Sequence, residues 1–234
     1  MKKMVVVSFY HALIDEESAI SQSIMLEIER IRKKGILFCV CTNGTYQEVL
    51  EYNKDFPFID YIISLNGSYI YDVLKEQCIA KKKIAISNIK KISTIFEGYN
   101  ILYYTENNIY EEAQETEKKD IYKIEVEIEK EEEREKLSKL NINSSIFIKK
   151  DKMYLEIVSG KNSMFSGVDQ IGLKNNFALK DVIAVCANES DYSLVTNLPY
   201  SYVIKDSCKK LEKATRRKIS KNPKEGIEIF LKKI

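Results

Sequence analysis

The sequence predicts an α/β protein: a doubly wound, Rossmann-like parallel sheet assembled from both ends of the chain, with a smaller α+β lobe inserted in the middle. Three observations carry this. Short apolar runs alternate with amphipathic helical segments over the first third in a βαβαβ rhythm, which selects a parallel sheet with right-handed crossovers. Over residues 74–158 the rhythm gives way to strands able to hairpin around two helices. From Phe165 it returns. The expected division is a core of residues 1–73 plus 159–234 and an inserted α+β lobe of residues 74–158.

Residues 4–9 form a β-branched run without polar alternation, as a strand covered on both faces requires. The run follows Lys2-Lys3, yet Ser8, His11, the following Asp15-Glu16-Glu17 and the lack of a small-residue cleavage site make it a buried strand rather than a signal peptide. It is also too short to span a bilayer. Ile20, Ile24, Ile28 and Ile31 recur at steps of three and four, predicting a helix over 18–34 that Gly35 stops. A second buried strand is expected at 36–41, a helix at 45–54 and a third strand at 61–65.

In the lobe, helices are expected at 89–96 and 131–140 and strands at 101–105, 122–128, 145–148 and 153–158. Beyond it come a helix from Phe165 to Ile171 with Gly172 as its stop, an apolar strand at 181–185 and a last helix at 225–232.

The chain has 234 residues, with 37 Lys and Arg against 35 Asp and Glu. A net charge of +2 provides no global field for nucleic acid or an anionic membrane, and neither partner is expected. Residues 209–224 hold eight Lys or Arg against one Glu, but with no interleaved aromatics they read as a basic surface helix. The acidic run 127–135 is interrupted by Lys130 and Arg134 and reads as a solvated helix entry. Five cysteines with no Cys-x-x-Cys pair suit a reduced, cytoplasmic setting.

Ligands of a doubly wound sheet bind beyond the C-terminal ends of its strands. Four loops fall there: 8–12, 42–44, 66–68 and 186–191. Their order and wording resemble the haloacid dehalogenase superfamily of phosphohydrolases, in the Cof-type branch with an inserted α+β cap. Val5-Val6-Val7-Ser8-Phe9-Tyr10-His11-Ala12-Leu13 stands where that family has a strand followed by Asp-x-Asp-Gly-Thr-Leu, and Cys41-Thr42-Asn43-Gly44 where it has Thr-Gly-Arg. Leu65-Asn66-Gly67-Ser68-Tyr69-Ile70-Tyr71-Asp72 is similar to its Asn-Gly-Ala-x-Ile-Tyr-Asp segment. Leu155-Glu156-Ile157 before Lys161 resembles the stretch leading to its motif lysine, Cys186-Ala187-Asn188-Glu189-Ser190-Asp191 its Gly-Asp-x-x-Asn-Asp, and Asn222-Pro223-Lys224-Glu225-Gly226-Ile227 its last turn.

The resemblance implies the fold and a Mg²⁺-dependent phosphohydrolase ancestry, but the chemistry needs carboxylates that are missing. The nucleophile and acid/base positions hold Ser8 and Tyr10, so no residue is assigned a catalytic role. The metal positions hold Ser8, Ala187 and Asp191, and one carboxylate is a poor magnesium site. No cofactor is therefore expected. Thr42, Asn43 and Gly44 remain as a phosphate cradle, with Lys161 as the implied cation. Ser8 with His11 as a nucleophile pair lacks an orienting group other than Asp191. The leading expectation is a catalytically silent homologue that binds a phosphorylated small molecule or a protein partner. A hydrolase with an unusual site at Asp191, Ser8 or His11, and a structural or oligomer-forming protein, stay open as alternatives.

Overall fold

In the computed structural model, residues 2–14, 20–54, 57–111, 119–222 and 224–234 are described. Asp15-Glu16-Glu17, the first residues of the expected 18–34 helix and Pro223 lie outside them.

β1 (Met4–Ser8) is buried along its whole length, because both of its faces are covered. It pairs in parallel with β2 (Leu37–Cys41) on one side and β11 (Val182–Cys186) on the other. Between β1 and β2, α1 (Gln22–Lys33) starts at Ser21, whose hydroxyl accepts the Ile24 N–H, and ends before Gly35 in the left-handed conformation (φ 77°). Ile24, Ile28 and Ile31 line its buried face, each contributing about 1.5–3 kcal/mol by burial. After β2 come α2 (Tyr46–Asn53) and β3 (Tyr61–Ser64), completing the βαβαβ unit.

The chain then turns back through two antiparallel strands, β4 (Tyr69–Asp72) and β5 (Gln77–Lys81). β5 falls within the segment assigned from sequence to the inserted lobe, yet it extends the large sheet beside β4. Beyond the lobe lie α4 (Met164–Asn175), β11, α5 (Tyr192–Asn197), β12 (Ser201–Ile204), α6 (Lys209–Ala214), β13 (Lys218–Ile219) and α7 (Ile229–Lys232). The large sheet has the order β13-β12-β11-β1-β2-β3-β4-β5, parallel from β13 to β3. Alternation along β1 sends Val5 and Val7 to the layer holding α1 and α7, and Met4 and Val6 to the layer holding α4 and α5.

The lobe consists of α3 (Ile86–Ile95) and a five-stranded antiparallel sheet of order β7-β6-β8-β10-β9. Its strands are β6 (Ile101–Tyr104), β7 (Ile109–Tyr110), β8 (Lys123–Ile128), β9 (Ile142–Lys149) and β10 (Lys152–Ser159). Ile124, Val126 and Ile128 pack with Ile89 and Ile92 of α3 in the lobe's own core.

Two expected elements change. Gly172 lies inside α4, and the helix stops at Asn176, whose φ of 55° supplies the left-handed cap. A short polar side chain tolerates that conformation without a glycine. The charged 131–140 segment forms a 3₁₀ helix, Glu131–Leu137, which buries only Leu137 and so has no apolar stripe to support a longer helix. No helix among the described residues is long and apolar enough to cross a membrane.

Candidate functional site

Ser8 ends β1 and is buried, and the chain reverses immediately: Leu13 N–H returns to the Ser8 carbonyl and Ile14 N–H to that of Phe9. The turn puts His11 on the surface with a φ of 67°. The Asn188 carboxamide donates to Ser8 Oγ at 2.9 Å and to the Tyr10 carbonyl at 3.2 Å. Tyr10 packs edge-on against Phe9, and its hydroxyl donates to Glu48 Oε2 at 3.4 Å. Burial and the Glu48 carboxylate push the Tyr10 phenol well above its ordinary range.

Asp191 is buried beneath this turn. Its Oδ2 accepts the Ala187 and Asn188 N–H groups, both at 2.9 Å, and its Oδ1 accepts the Cys41 thiol at 3.6 Å. Burial raises its pKa, opposed by the Asn188 and Ala187 N–H groups and by the Ser8 hydroxyl and Cys41 thiol. Both carboxylate oxygens thus serve the fold. Mg²⁺ requires a near-octahedral shell of hard oxygens. Ser8 already held by Asn188, the methyl of Ala187 and an Asp191 turned onto backbone N–H groups do not form one. Among the described residues no group of three or more His, Cys, Asp or Glu is placed to hold a metal ion.

The loop after β2 is likewise occupied. Thr42 Oγ1 accepts the Gly44 N–H at 3.0 Å, and the Asn43 carbonyl accepts Lys123 Nζ at 2.6 Å. Thr45 caps α2 in a capping box with Glu48, whose carboxylate accepts the Thr45 N–H at 3.2 Å. A Cβ on Gly44 would lie 2.0 Å from Glu48 Oε2, so a carboxylate of the chain itself fills the space above the glycine. Lys161 is exposed, with no ion pair among the described residues. At the entrance to α4 the cap is Ser163, and the preceding Asn162 is buried, donating to Ser68 Oγ and the Lys82 carbonyl, both at 2.9 Å. Thr42, Asn43 and Gly44 share one turn, and Lys161 makes no ion pair or hydrogen bond with them among the described residues.

The group that reasoning from sequence missed is Lys123, on β8 of the lobe. Fully buried, its ammonium reaches Glu125 at 2.8 Å, Glu156 at 3.3 Å and the Asn43 carbonyl, and lies 4.2 Å above the Tyr104 ring. Glu156, on β10, accepts the carboxamides of Asn43 at 2.9 Å and Asn66 at 3.1 Å and the Ser145 hydroxyl at 3.1 Å. Tyr104 donates to Glu125. Burial opposes the charge on Lys123, but Glu125 and Glu156 outweigh it and hold the ammonium above the usual lysine range. Glu156 is raised by burial against the pull of Lys123. The network ties the lobe to two strand-tip loops of the core. Its only signal in the sequence is the alternation Lys123-Ile124-Glu125-Val126, which puts Lys123 and Glu125 on one face of β8.

The sequence matches the haloacid dehalogenase-like hydrolase family over residues 11–141 and 102–231. No curated protein matches it. Among solved structures, it is similar to the subclass IIB sugar phosphatase BT4131 at 17% identity and a TM-score of 0.86, covering 99% of this chain and 98% of that one. A haloacid dehalogenase-like hydrolase from B. subtilis is similar at 14% identity and TM-score 0.88, over 98% of this chain and 99% of that one. The phosphatase BT1666 from Bacteroides thetaiotaomicron follows at 13% identity and TM-score 0.87, over 100% and 95%. These likenesses establish a shared fold of Rossmann-like core and cap. The family match spans both the core and the lobe, and the chain belongs to the haloacid dehalogenase-like hydrolases.

Proposed function

We propose that this member of the family no longer transfers phosphoryl groups and acts by binding, with a protein partner as its ligand rather than a phosphorylated small molecule. One observation carries the first half. Ser8 and Tyr10 stand where a nucleophile and an acid/base are needed, and the remaining carboxylate, Asp191, is engaged by two backbone N–H groups. A serine hydroxyl at that position lacks the negative charge of an attacking carboxylate, and a phenol held above its ordinary range is a donor that gives up no proton near neutral pH.

The second half rests on the loop after β2. Its Thr42 hydroxyl oxygen accepts the Gly44 N–H, Glu48 takes the Thr45 N–H and Thr45 the Glu48 N–H, and the Glu48 and Glu156 carboxylates lie against Gly44 and Asn43. An incoming phosphate would meet the Glu48 carboxylate above Gly44, and the cation beside Asn43, Lys123, is already paired with Glu125 and Glu156. This departs from the expectation that Thr42, Asn43, Gly44 and Lys161 cradle a phosphate.

The test is turnover of sugar phosphates, nucleotides and a chromogenic phosphate ester with Mg²⁺. The expected result is no metal-dependent rate above that of Asp191→Asn; a clear rate abolished by that substitution overturns the proposal. A phosphorylated ligand at about 100 times its dissociation constant would add roughly 2.7 kcal/mol of stability, so thermal denaturation with the same compounds checks the ligand class. No stabilisation is expected, and a saturable one refutes the preference for a protein. The triple substitution Ser8→Asp, Tyr10→Asp, Ala187→Asp restores the missing carboxylates and is expected to gain Mg²⁺ binding by calorimetry; none would count against the assignment of these positions.

A further inference from the structure

The basic run 209–224 contains no aromatic residue, but the fold brings two beside it. Tyr192 of α5, 39% exposed, has Lys210 Nζ 4.9 Å from its ring centroid. Tyr200, at the entrance to β12, has Lys2 Nζ at 3.0 Å and the Arg217 guanidinium at 5.7 Å. α6 starts beyond the C-terminal end of β12 and ends before β13, so its lysines run down one flank toward the opposite end of the sheet. There they meet the cations that precede the parallel strands β1, β11 and β13. We propose that this basic stripe docks an extended acidic segment of a partner protein.

Lys209, Lys213, Arg216, Arg217, Lys180 and Lys2 form no ion pair among the described residues, and all but Lys2 are exposed. The paired bases beside them are Lys210, on Glu189 at 2.8 Å, and Lys218, on Glu212 at 2.6 Å. Lys2 donates to the Lys180 carbonyl at 2.6 Å and Arg217 to the Pro199 carbonyl, contacts that leave both charges without a counter-ion. Burial lowers the Lys2 pKa, opposed by the attraction of Asp181. Cations held side by side repel one another, and a row of carboxylates docked on them replaces that repulsion with attraction.

The dimensions suit a short peptide. The six residues of α6 rise about 9 Å, and the four neighbouring strand ends from β13 to β1 span about 14 Å. About seven residues of extended chain, at about 3.3 Å each, cover that path. The rings of Tyr192 and Tyr200 already carry cations, which makes them poor platforms for stacked bases. The net charge of +2 adds no wider field to hold a long polyanion. A bilayer meets a protein on one plane, whereas the stripe turns from the α6 flank onto the strand ends. An acidic peptide can follow that turn, and tyrosine and arginine are residues that protein interfaces favour.

The stripe lies away from the Ser8 end of the sheet, and the proposal rests on the reading that the chain acts through a protein partner. Turnover and stabilisation by phosphorylated compounds decide that reading. The stripe is decided separately, by fluorescence anisotropy of a labelled heptaglutamate added to the intact chain at low ionic strength, with labelled heptathymidylate and phosphatidylserine vesicles for comparison. Saturable, salt-sensitive binding of the heptaglutamate is expected, weakened at least tenfold by the double variant Lys209→Glu, Lys213→Glu and, independently, by Lys180→Glu, Arg216→Glu. None of these four side chains makes a described hydrogen bond. Lys90→Glu, Lys91→Glu on α3 makes the same change of net charge elsewhere and is expected to leave binding within about twofold. Absence of saturation overturns the proposal, and so does an equal loss in the α3 variant, which would mean attraction by net charge alone. Tighter binding of heptathymidylate overturns it in favour of a nucleic acid, and tighter binding of the vesicles in favour of a membrane.

Discussion

The tip of β1 and the seam between lobe and core lie at the same end of the large sheet and treat charge in opposite ways. At the tip, Ser8, Tyr10 and Asn188 make neutral hydrogen bonds over a single buried carboxylate. At the seam, Lys123, Glu125 and Glu156 are three charged groups packed out of water and tied to Asn43 and Asn66. Buried charge is costly wherever it lies, and it persists only where partners over-satisfy it. In this chain those partners join lobe and core, whereas the carboxylates at the β1 tip, Asp191 and the Glu48 that Tyr10 contacts, are held by neutral donors. The seam holds the lobe in place; the tip has little with which to activate a substrate.

Removing one member of the seam gives the largest expected effect. Lys123→Met strands Glu125 and Glu156 without their cation and is expected to cost about 3–5 kcal/mol in chemical denaturation, with the double variant Lys123→Met, Glu156→Leu recovering much of the loss. Additive losses in that cycle would show the pair to be independent and erase the contrast with the β1 tip.

At the tip the expected cost is smaller and depends on pH. Asp191→Asn exchanges a carboxylate accepting two N–H groups for a carboxamide and is expected to cost about 1–3 kcal/mol at low pH, where the aspartic acid is protonated and fully compatible with burial. Because burial raises the folded-state pKa, the native state holds this proton more tightly than the unfolded chain, whose aspartate titrates near about 3.9. The stability tied to that proton is complete below the unfolded value and is lost as pH rises through the folded one. The gap between wild type and Asp191→Asn should therefore narrow from pH 3.5 toward 7 in urea denaturation; a gap that widens would mean that the carboxylate is the favoured buried form.

The smallest effects belong to single neutral contacts. Asn188→Ala removes the hydrogen bonds to Ser8 and Tyr10 and is expected to cost about 0.5–1.5 kcal/mol. Thr45→Ala, which opens the capping box of α2, is expected to cost about 1 kcal/mol. Equal losses for Asn188→Ala and Lys123→Met would remove the distinction between tip and seam.

Much of the architecture could be read from the chain. The apolar run at β1 has no polar alternation because both faces are covered, and the isoleucine steps of α1 and the stop at Gly35 are local rules obeyed locally. The identities at the β1 tip were equally legible, since an absent carboxylate is a matter of residue type. Gly172 shows where such rules end: as a glycine near a helix end it reads as a stop, yet it lies inside α4 facing Phe177, and Asn176 ends the helix. Lys161 is implied only by the resemblance of Leu155-Glu156-Ile157 to the family's stretch before its lysine; its side chain is exposed after β10, and Ser163 caps α4.

Periodicity and side-chain chemistry within short windows suffice for the parallel strands β1 to β3, the helices between them and the loss of carboxylates, but not for β5 as a strand of the same sheet. Nor do they reveal that the polar face of β8 is buried. Alternation along Lys123-Ile124-Glu125-Val126 says that two faces differ, and for an isolated lobe the charged face belongs in water. Lys123 becomes a buried cation because residues 80 positions away, at Asn43, and 33 away, at Glu156, close over it. Docking of one unit on another is a long-range event that leaves no periodic trace in the chain.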